Sequence, residues 1–234
     1  MKLGIIHTST TQKEKQYLQE QLIEYFGSSL QLYEQENPEI LMQVNQMGAI
    51  TPECTILFLE MYVNALKENC DMILSTCTAI GELSDSMTAL INYANVPIIS
   101  IEQEMCSGIS EEDKRVAIIG TNPMAIERVH NVVMRKANFE VEILDKLIIL
   151  PETSKNKDKI LLKEIKYMEH KIDAVLLAQP SLSDKVQWLQ NMTRQKVKGC
   201  IPYAIDELNR EFNKRHATVC VDGEPCIQCG MCSM

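Results

Sequence analysis

Asp71-Met-Ile-Leu-Ser-Thr-Cys77-Thr-Ala-Ile80 and Asp173-Ala-Val-Leu-Leu-Ala-Gln179-Pro-Ser-Leu182 are one element written twice. Each copy has an acidic residue, a short apolar run and then a turn. They differ where chemistry would sit, with a thiol in the first and an amide in the second. Upstream of each lies a second matched pair, Lys2-Leu-Gly-Ile-Ile-His-Thr8 and Arg115-Val-Ala-Ile-Ile-Gly-Thr121. A repeat of this size predicts two similar lobes whose matching loops meet across a cleft.

Outward from these runs, short β-rich segments alternate with helical ones, the pattern of parallel sheets joined by crossover helices. The fold class is α/β. Strands are expected near 3–7, 30–34, 71–76, 97–101, 115–120, 140–145 and 173–178, and helices near 12–26, 53–69, 79–93, 123–137, 157–171 and 183–194. Val116 to Ile119 and Ala174 to Ala178 are apolar at every position, as strands covered on both faces must be. Gly199-Cys-Ile-Pro202 interrupts the pattern, and Ala204 to Arg215 is amphipathic enough for a last helix returning to the first lobe. The expected division is 1–98 with 203–219 for the first lobe, 99–202 for the second, and 220–234 for a Cys-rich tail.

With 234 residues, 45% of them hydrophobic, the chain can bury the core of one large domain or two lobes. A formal charge of −9 argues against a nucleic-acid or anionic-membrane surface, which needs clustered Lys and Arg. No signal peptide or membrane span is read from the sequence. Nine cysteines, an odd number, then indicate mainly reduced thiols in a cytoplasm.

Cys77 stands between a strand and a helix start, where backbone N–H groups and the helix dipole favour a thiolate. Lowering a thiol from about 8.5 to about 6.5 would raise its ionised fraction at pH 7 from roughly 3% to roughly 75%. The plainer alternative is a small apolar residue at a strand end. Cys54, Cys70 and Cys200 are expected to be packing residues. Cys106, Glu102 and Glu104 lie just beyond a strand and could reach the cleft, although acidic residues at such a place are usually solvated. His7 is the one histidine placed near it, with a local structural hydrogen bond as its expected role.

These segments, with Val96-Pro-Ile-Ile-Ser-Ile101, resemble the aspartate/glutamate/hydantoin racemase superfamily from the start of the chain to about residue 213. The resemblance implies two pseudosymmetric lobes and cofactor-independent chemistry at a carbon next to a carboxylate, with cysteines on opposite faces of the substrate. By position, Cys77 matches the first catalytic cysteine. Thr8, Ser9, Thr10, Thr78, Thr121, Asn122 and Ser181 match substrate-binding positions. Gln179 stands where the second thiol would be, so the chain resembles a single-cysteine, Leu-Ala-Gln variant. An amide cannot exchange a proton, which removes the usual two-base route to inversion, but it can hydrogen-bond a carboxylate or an enediolate.

The expected function is therefore a PLP-independent, racemase-like isomerase acting on a small carboxylate or amino acid, with Cys77 as single base or nucleophile. A non-catalytic carboxylate binder, or an isomerase, decarboxylase or redox-linked variant, are the alternatives. No nucleic-acid or membrane partner is expected, and a homodimer is suggested by the resemblance alone. In the tail, Cys226, Cys229 and Cys232 form C-x2-C-x2-C, the opening of a ferredoxin-type motif whose fourth cysteine is missing. An Fe–S cluster or zinc with a further ligand, a redox pair, or a tail without metal are all compatible with it.

Overall fold

The computed structural model describes residues 1–87, 95–149 and 156–217, with the side chains of 216 and 217 left out. The cysteine tail, and the end of the helix expected over 79–93, lie outside the described residues. Two four-stranded parallel sheets carry the fold. In the first, β1 (Lys2–His7), β2 (Gln31–Glu36), β3 (Met72–Ser75) and β4 (Ile98–Ser100) are ordered β2-β1-β3-β4. In the second, β5 (Arg115–Gly120), β6 (Glu142–Leu147), β7 (Ala174–Leu177) and β8 (Lys196–Gly199) repeat that order as β6-β5-β7-β8. The sequence repeat is thus a repeat of topology.

Helices α1 (Gln12–Phe26), α2 (Pro38–Met47), α3 (Pro52–Lys67), α4 (Gly81–Ser86) and α5 (Gln103–Ser107) belong to the first half. They are followed by α6 (Pro123–Lys136), α7 (Lys157–Met168), α8 (Val186–Met192) and α9 (Cys200–Ala217). Short 3-10 turns at Thr78–Ile80 and Pro180–Lys185 follow β3 and β7.

The central strands alternate between two cores, as the period of a strand requires. Leu3, Ile5, Met72 and Leu74 face a core shared with Val116, Ile118, Ala174 and Leu176, which α9 completes with Ile205 and Leu208. The intervening Ile6 and Ile73 pack on Phe58 and Tyr62 of α3. Their counterparts Ile119, Val175 and Leu177 pack on Leu161 and Ile165 of α7. The repeated acidic residues have one job: Asp71 Oδ2 accepts the Lys2 backbone N–H at 2.7 Å, and Asp173 Oδ2 that of Arg115 at 2.9 Å. Each locks the first strand of its lobe to the third.

Four elements differ from the sequence reading, one of them the short helix α5 (Gln103–Ser107), which was not expected. Helix α2 lies where no element was expected, although Asn37 caps it, Pro38 opens it and Gly48 closes it at φ 65°. Strand β8 is an edge strand with Lys at two of its four positions, so its apolar signal is weak. Gly199-Cys-Ile-Pro202 is not an interruption: Gly199 ends β8 and Cys200 to Pro202 begin α9. Pro202 falls in the first turn, where the missing N–H has no helical partner to lose.

Candidate active site

Ligands of parallel α/β sheets bind beyond the carboxyl ends of the strands. There the loops after β1, β3, β5 and β7 enclose a cavity of about 450 Å³. The first half contributes His7 to Thr11 and Thr76 to Ala79; the second contributes Thr121, Asn122 and Gln179 to Ser181. Every residue expected to carry chemistry or bind substrate, from Thr8 to Ser181, therefore borders one space.

The pseudosymmetry extends into its hydrogen bonds. After β1, the buried Thr8 donates its hydroxyl to Cys77 after β3. After β5, Thr121 donates both its backbone N–H, at 2.6 Å, and its hydroxyl, at 2.9 Å, to Gln179 Oε1 after β7. A backbone N–H can only donate, so the oxygen of Gln179 is fixed toward Thr121 and Nε2 is left as a donor. Thr121 is correspondingly engaged by Gln179. Asn122 is engaged too: Oδ1 caps α6 through the Met124 N–H, and Nδ2 donates to Asn45 of α2 across the cleft.

The backbone N–H groups of Ala79 and Ile80 in the following turn pull Cys77 in the same direction as the Thr8 hydroxyl, although the Ile80 N–H is bonded to the Cys77 carbonyl at 3.3 Å. These donors favour a thiolate, as expected for a strand-to-helix junction. Burial outweighs them and pushes the thiol up from its ordinary value, with nearby Glu102 adding to the rise. The expected thiolate is therefore replaced by a protonated thiol at neutral pH. Its three donors wait for a charge that is not there at rest.

Next to it, Thr78 Oγ1 is buried and has no hydrogen-bond partner among the described residues, which leaves it open to a ligand. Ser9 is exposed and Ser181 half-buried on the rim. Thr10 is tied back, its N–H donating to Glu36 at 2.9 Å and its Oγ1 lying 3.2 Å from His7 Nδ1.

His7 is buried at the end of β1 with Nδ1 3.0 Å from Thr76 Oγ1. The Thr76 hydroxyl donates to the Ile6 carbonyl at 3.1 Å, so the shared proton belongs to His7 Nδ1. Burial lowers the imidazole from its ordinary value despite the pull of Glu34, whose carboxylate lies 3.5 Å from Nε2. A neutral His7 thus braces the residue immediately before Cys77. The local structural role expected for it is the one the geometry displays.

Cys106, Glu102 and Glu104 do not line the cavity. Cys106 is buried beneath α6, and burial pushes its thiol far up. Glu102 is wholly buried and ion-paired with Arg128. Cys54, Cys70 and Cys200 are buried. Among the described residues no group of three or more His, Cys, Asp or Glu side chains could hold a metal ion. No helix of these residues is long and apolar enough to cross a membrane.

Sequence reasoning missed Thr76, the two N–H groups after Thr78, and Leu41 and Asn45 of α2. The Asn37-Pro38-Glu39 start and Gly48 stop were the available signal for α2.

No protein-family profile and no curated protein sequence matches the chain. Solved structures do. Allantoin racemase from Klebsiella pneumoniae is 12% identical, with a TM-score of 0.65 over 92% of this chain and 89% of that one. A glutamate racemase isoform from Bacillus anthracis is 10% identical, with a TM-score of 0.63 over 91% and 82%. An aspartate racemase homologue from Pyrococcus horikoshii is 16% identical, with a TM-score of 0.62 over 91% and 99%. The chain shares with these racemases a fold of two matched lobes whose loops face one cleft.

Proposed function

We propose that the protein is a cofactor-independent, racemase-like enzyme acting at the carbon next to the carboxylate of a small acid or amino acid, with Cys77 as its only proton-transferring group. The observation that carries this reading is the asymmetry of the two Thr-centred pairs. Cys77, beside the buried Thr8 and at the start of the Thr78–Ile80 turn, borders the cavity in one lobe, and Gln179, pinned with Nε2 free, borders it in the other.

With an acid that loses CO2, the carbanion left behind takes the thiol proton and Cys77 becomes a thiolate. With an acid that keeps its Cα–H, the thiol first gives its proton to solvent; the thiolate then takes the Cα proton and returns a solvent-exchanged one to the same face. Thr8, Ala79 and Ile80 would stabilise the thiolate in either case. The amide opposite can hydrogen-bond a carboxylate but cannot supply a proton. Thr78 and the Gln179 amide are the donors best placed for that carboxylate. The chemistry is thus exchange or protonation on one face, not inversion by two bases.

Five described cysteines, all unpaired, support a reducing compartment such as the cytoplasm. The C-x2-C-x2-C tail is not needed for this chemistry. Arg215, near the end of α9, donates to the carbonyls of Asp71 and Asn95, at the amino ends of β3 and β4 and away from the cavity.

The test is incubation with aspartate, glutamate, hydantoins, maleate and malonates in D2O. We expect deuterium at the carbon next to the carboxylate, or stereospecifically protonated product, without inversion, and loss of both in Cys77→Ala. Exchange that survives Cys77→Ala overturns the reading. Ligand-dependent thermal shifts without exchange would instead favour a carboxylate binder.

A further inference from the structure

Behind the Cys77 turn lies a charged cluster that the proposed chemistry does not use. Glu102, just after β4, is wholly buried, with Oε1 2.8 Å from Nε of Arg128. Arg128 comes from α6 in the second half of the chain and is itself 3% exposed. Its Nη1 lies 2.8 Å from Asp85 Oδ2 on α4. Gln103 donates to Asp85 Oδ1 at 2.7 Å, and Arg135 to Oδ2 at 3.3 Å. One guanidinium of α6 thus holds two carboxylates, that of Glu102 just after β4 and that of Asp85 on α4.

Gly81 sits directly on this pair. A Cβ there would come 2.3 Å from Glu102 Oε1 and 2.6 Å from Arg128 Nε. Ser100 Oγ donates to the Gly81 carbonyl at 3.4 Å and fixes the same residue from β4. Gly81 closes the 3-10 turn Thr78–Ile80, which follows Cys77 directly, returns the Ile80 N–H to the Cys77 carbonyl at 3.3 Å, and carries the N–H groups at 79 and 80 that favour the Cys77 thiolate. The pair is also imperfectly satisfied: Glu102 Oε2 and Arg128 Nη2 are buried without a hydrogen-bond partner. Burying opposite charges often stabilises less than an apolar pair of the same shape would. Fold stability alone therefore gives little reason for it.

We infer that Glu102 and Arg128 are positioning residues for Cys77, an ion pair that seats the Thr78–Gly81 turn and balances the charge behind the thiol. This rests on Cys77 being the reacting group. The contact through Gly81 transmits any displacement of the pair to the two N–H groups that favour the thiolate. Burial raises the Glu102 carboxyl from its ordinary value while the Arg128 guanidinium pulls the other way, so removing either partner changes the charge beside the turn. Asp85 and Arg135 remain as the outer charges in each case.

The test is the pH profile of Cys77 alkylation by iodoacetamide in the full chain, read on the Cys77 peptide by mass spectrometry so that the tail thiols are counted separately. Glu102→Gln leaves a buried cation and should move the midpoint down; Arg128→Gln leaves a buried carboxylate and should move it up, each by on the order of one unit. Shifts in opposite directions cannot come from general loosening. Gly81→Ala keeps both charges while wedging the turn off them, and should also move the midpoint. It decides the matter if a lone buried charge prevents folding. Midpoints equal to wild type, or displaced the same way in both charge variants, overturn the inference. Alkylation needs no substrate, so absence of turnover would count against the proposed reaction without touching this result.

Discussion

Replacing Gln179 separates its two roles. Its oxygen accepts both donors of Thr121, at 2.6 and 2.9 Å, while its Nε2 is left for the cavity. Gln179→Met removes the acceptor and leaves a backbone N–H and a hydroxyl to whatever water reaches this half-exposed loop, a loss of about 1–2 kcal/mol of stability. Gln179→Glu keeps an acceptor in the same place, and charge-assisted bonds are stronger, so the folded state should be no less stable than wild type. Binding should respond in the opposite sense. A carboxylate in place of the amide donor meets the ligand carboxylate at about 4 Å, a repulsion of about 1 kcal/mol in water and about 4 kcal/mol near a protein surface. Affinity for an acid should fall between about fivefold and about a thousandfold in Gln179→Glu. Urea melts give the first quantity, and calorimetric titration with whichever acid shifts the wild-type melt gives the second. A Gln179→Glu protein that binds the acid within about twofold of wild type would refute the claim that Nε2 receives the carboxylate. A Gln179→Met protein as stable as wild type would refute the claim that its oxygen holds Thr121.

Arg128→Met should lose about 3–5 kcal/mol in a urea melt because it strands the Glu102 carboxylate, whereas the double replacement Glu102→Gln with Arg128→Met should recover much of that loss. Burial pushes Cys200 up to about 12, against the help of the Ser183 hydroxyl. Its folded value is raised above the unfolded one, so its share of stability is complete below about 8.5 and is lost as pH climbs from there. Urea midpoints should drop through this alkaline range and drop less in Cys200→Ala. At the acid end, burial works against the Asp113 carboxylate, but Lys196, Lys198 and the N–H and hydroxyl of Ser110 hold it below its ordinary value. That stability is present at neutral pH and is lost as pH falls through the lowered value, so Asp113→Asn should weaken the fold at pH 7 more than at pH 2.

The repeat was legible because each part of it has a local physical cause. An acidic residue before β3 and β7 accepts the first N–H of β1 and β5, and a Thr after β1 and β5 donates to the residue after β3 and β7. Such pairs share one offset within each half, 69 residues for Lys2 with Asp71 and Thr8 with Cys77, and 58 for Arg115 with Asp173 and Thr121 with Gln179. What could not be read is whatever depends on residues that no repeat brings together. Nothing near Cys77 in the chain says that burial will outweigh its three donors. The helix-start argument was correct about the donors and wrong about the balance. Glu102, an acid just past a strand end, reads as solvated until Arg128 of α6 is found beside it.

Because the thiol's ionisation is set by burial and by a charge pair between α6 and the residue after β4, it is a property of the folded two-lobed arrangement. A ligand that fills the cavity removes water from the sulfur and brings its own charge, and both act on the same proton. An anionic acid bound at Gln179 and Thr78 would hold that proton on Cys77 more firmly still. The bound state most consistent with this geometry is therefore a neutral thiol facing a carboxylate, a donor ready for a carbon that becomes basic only once the reaction has begun.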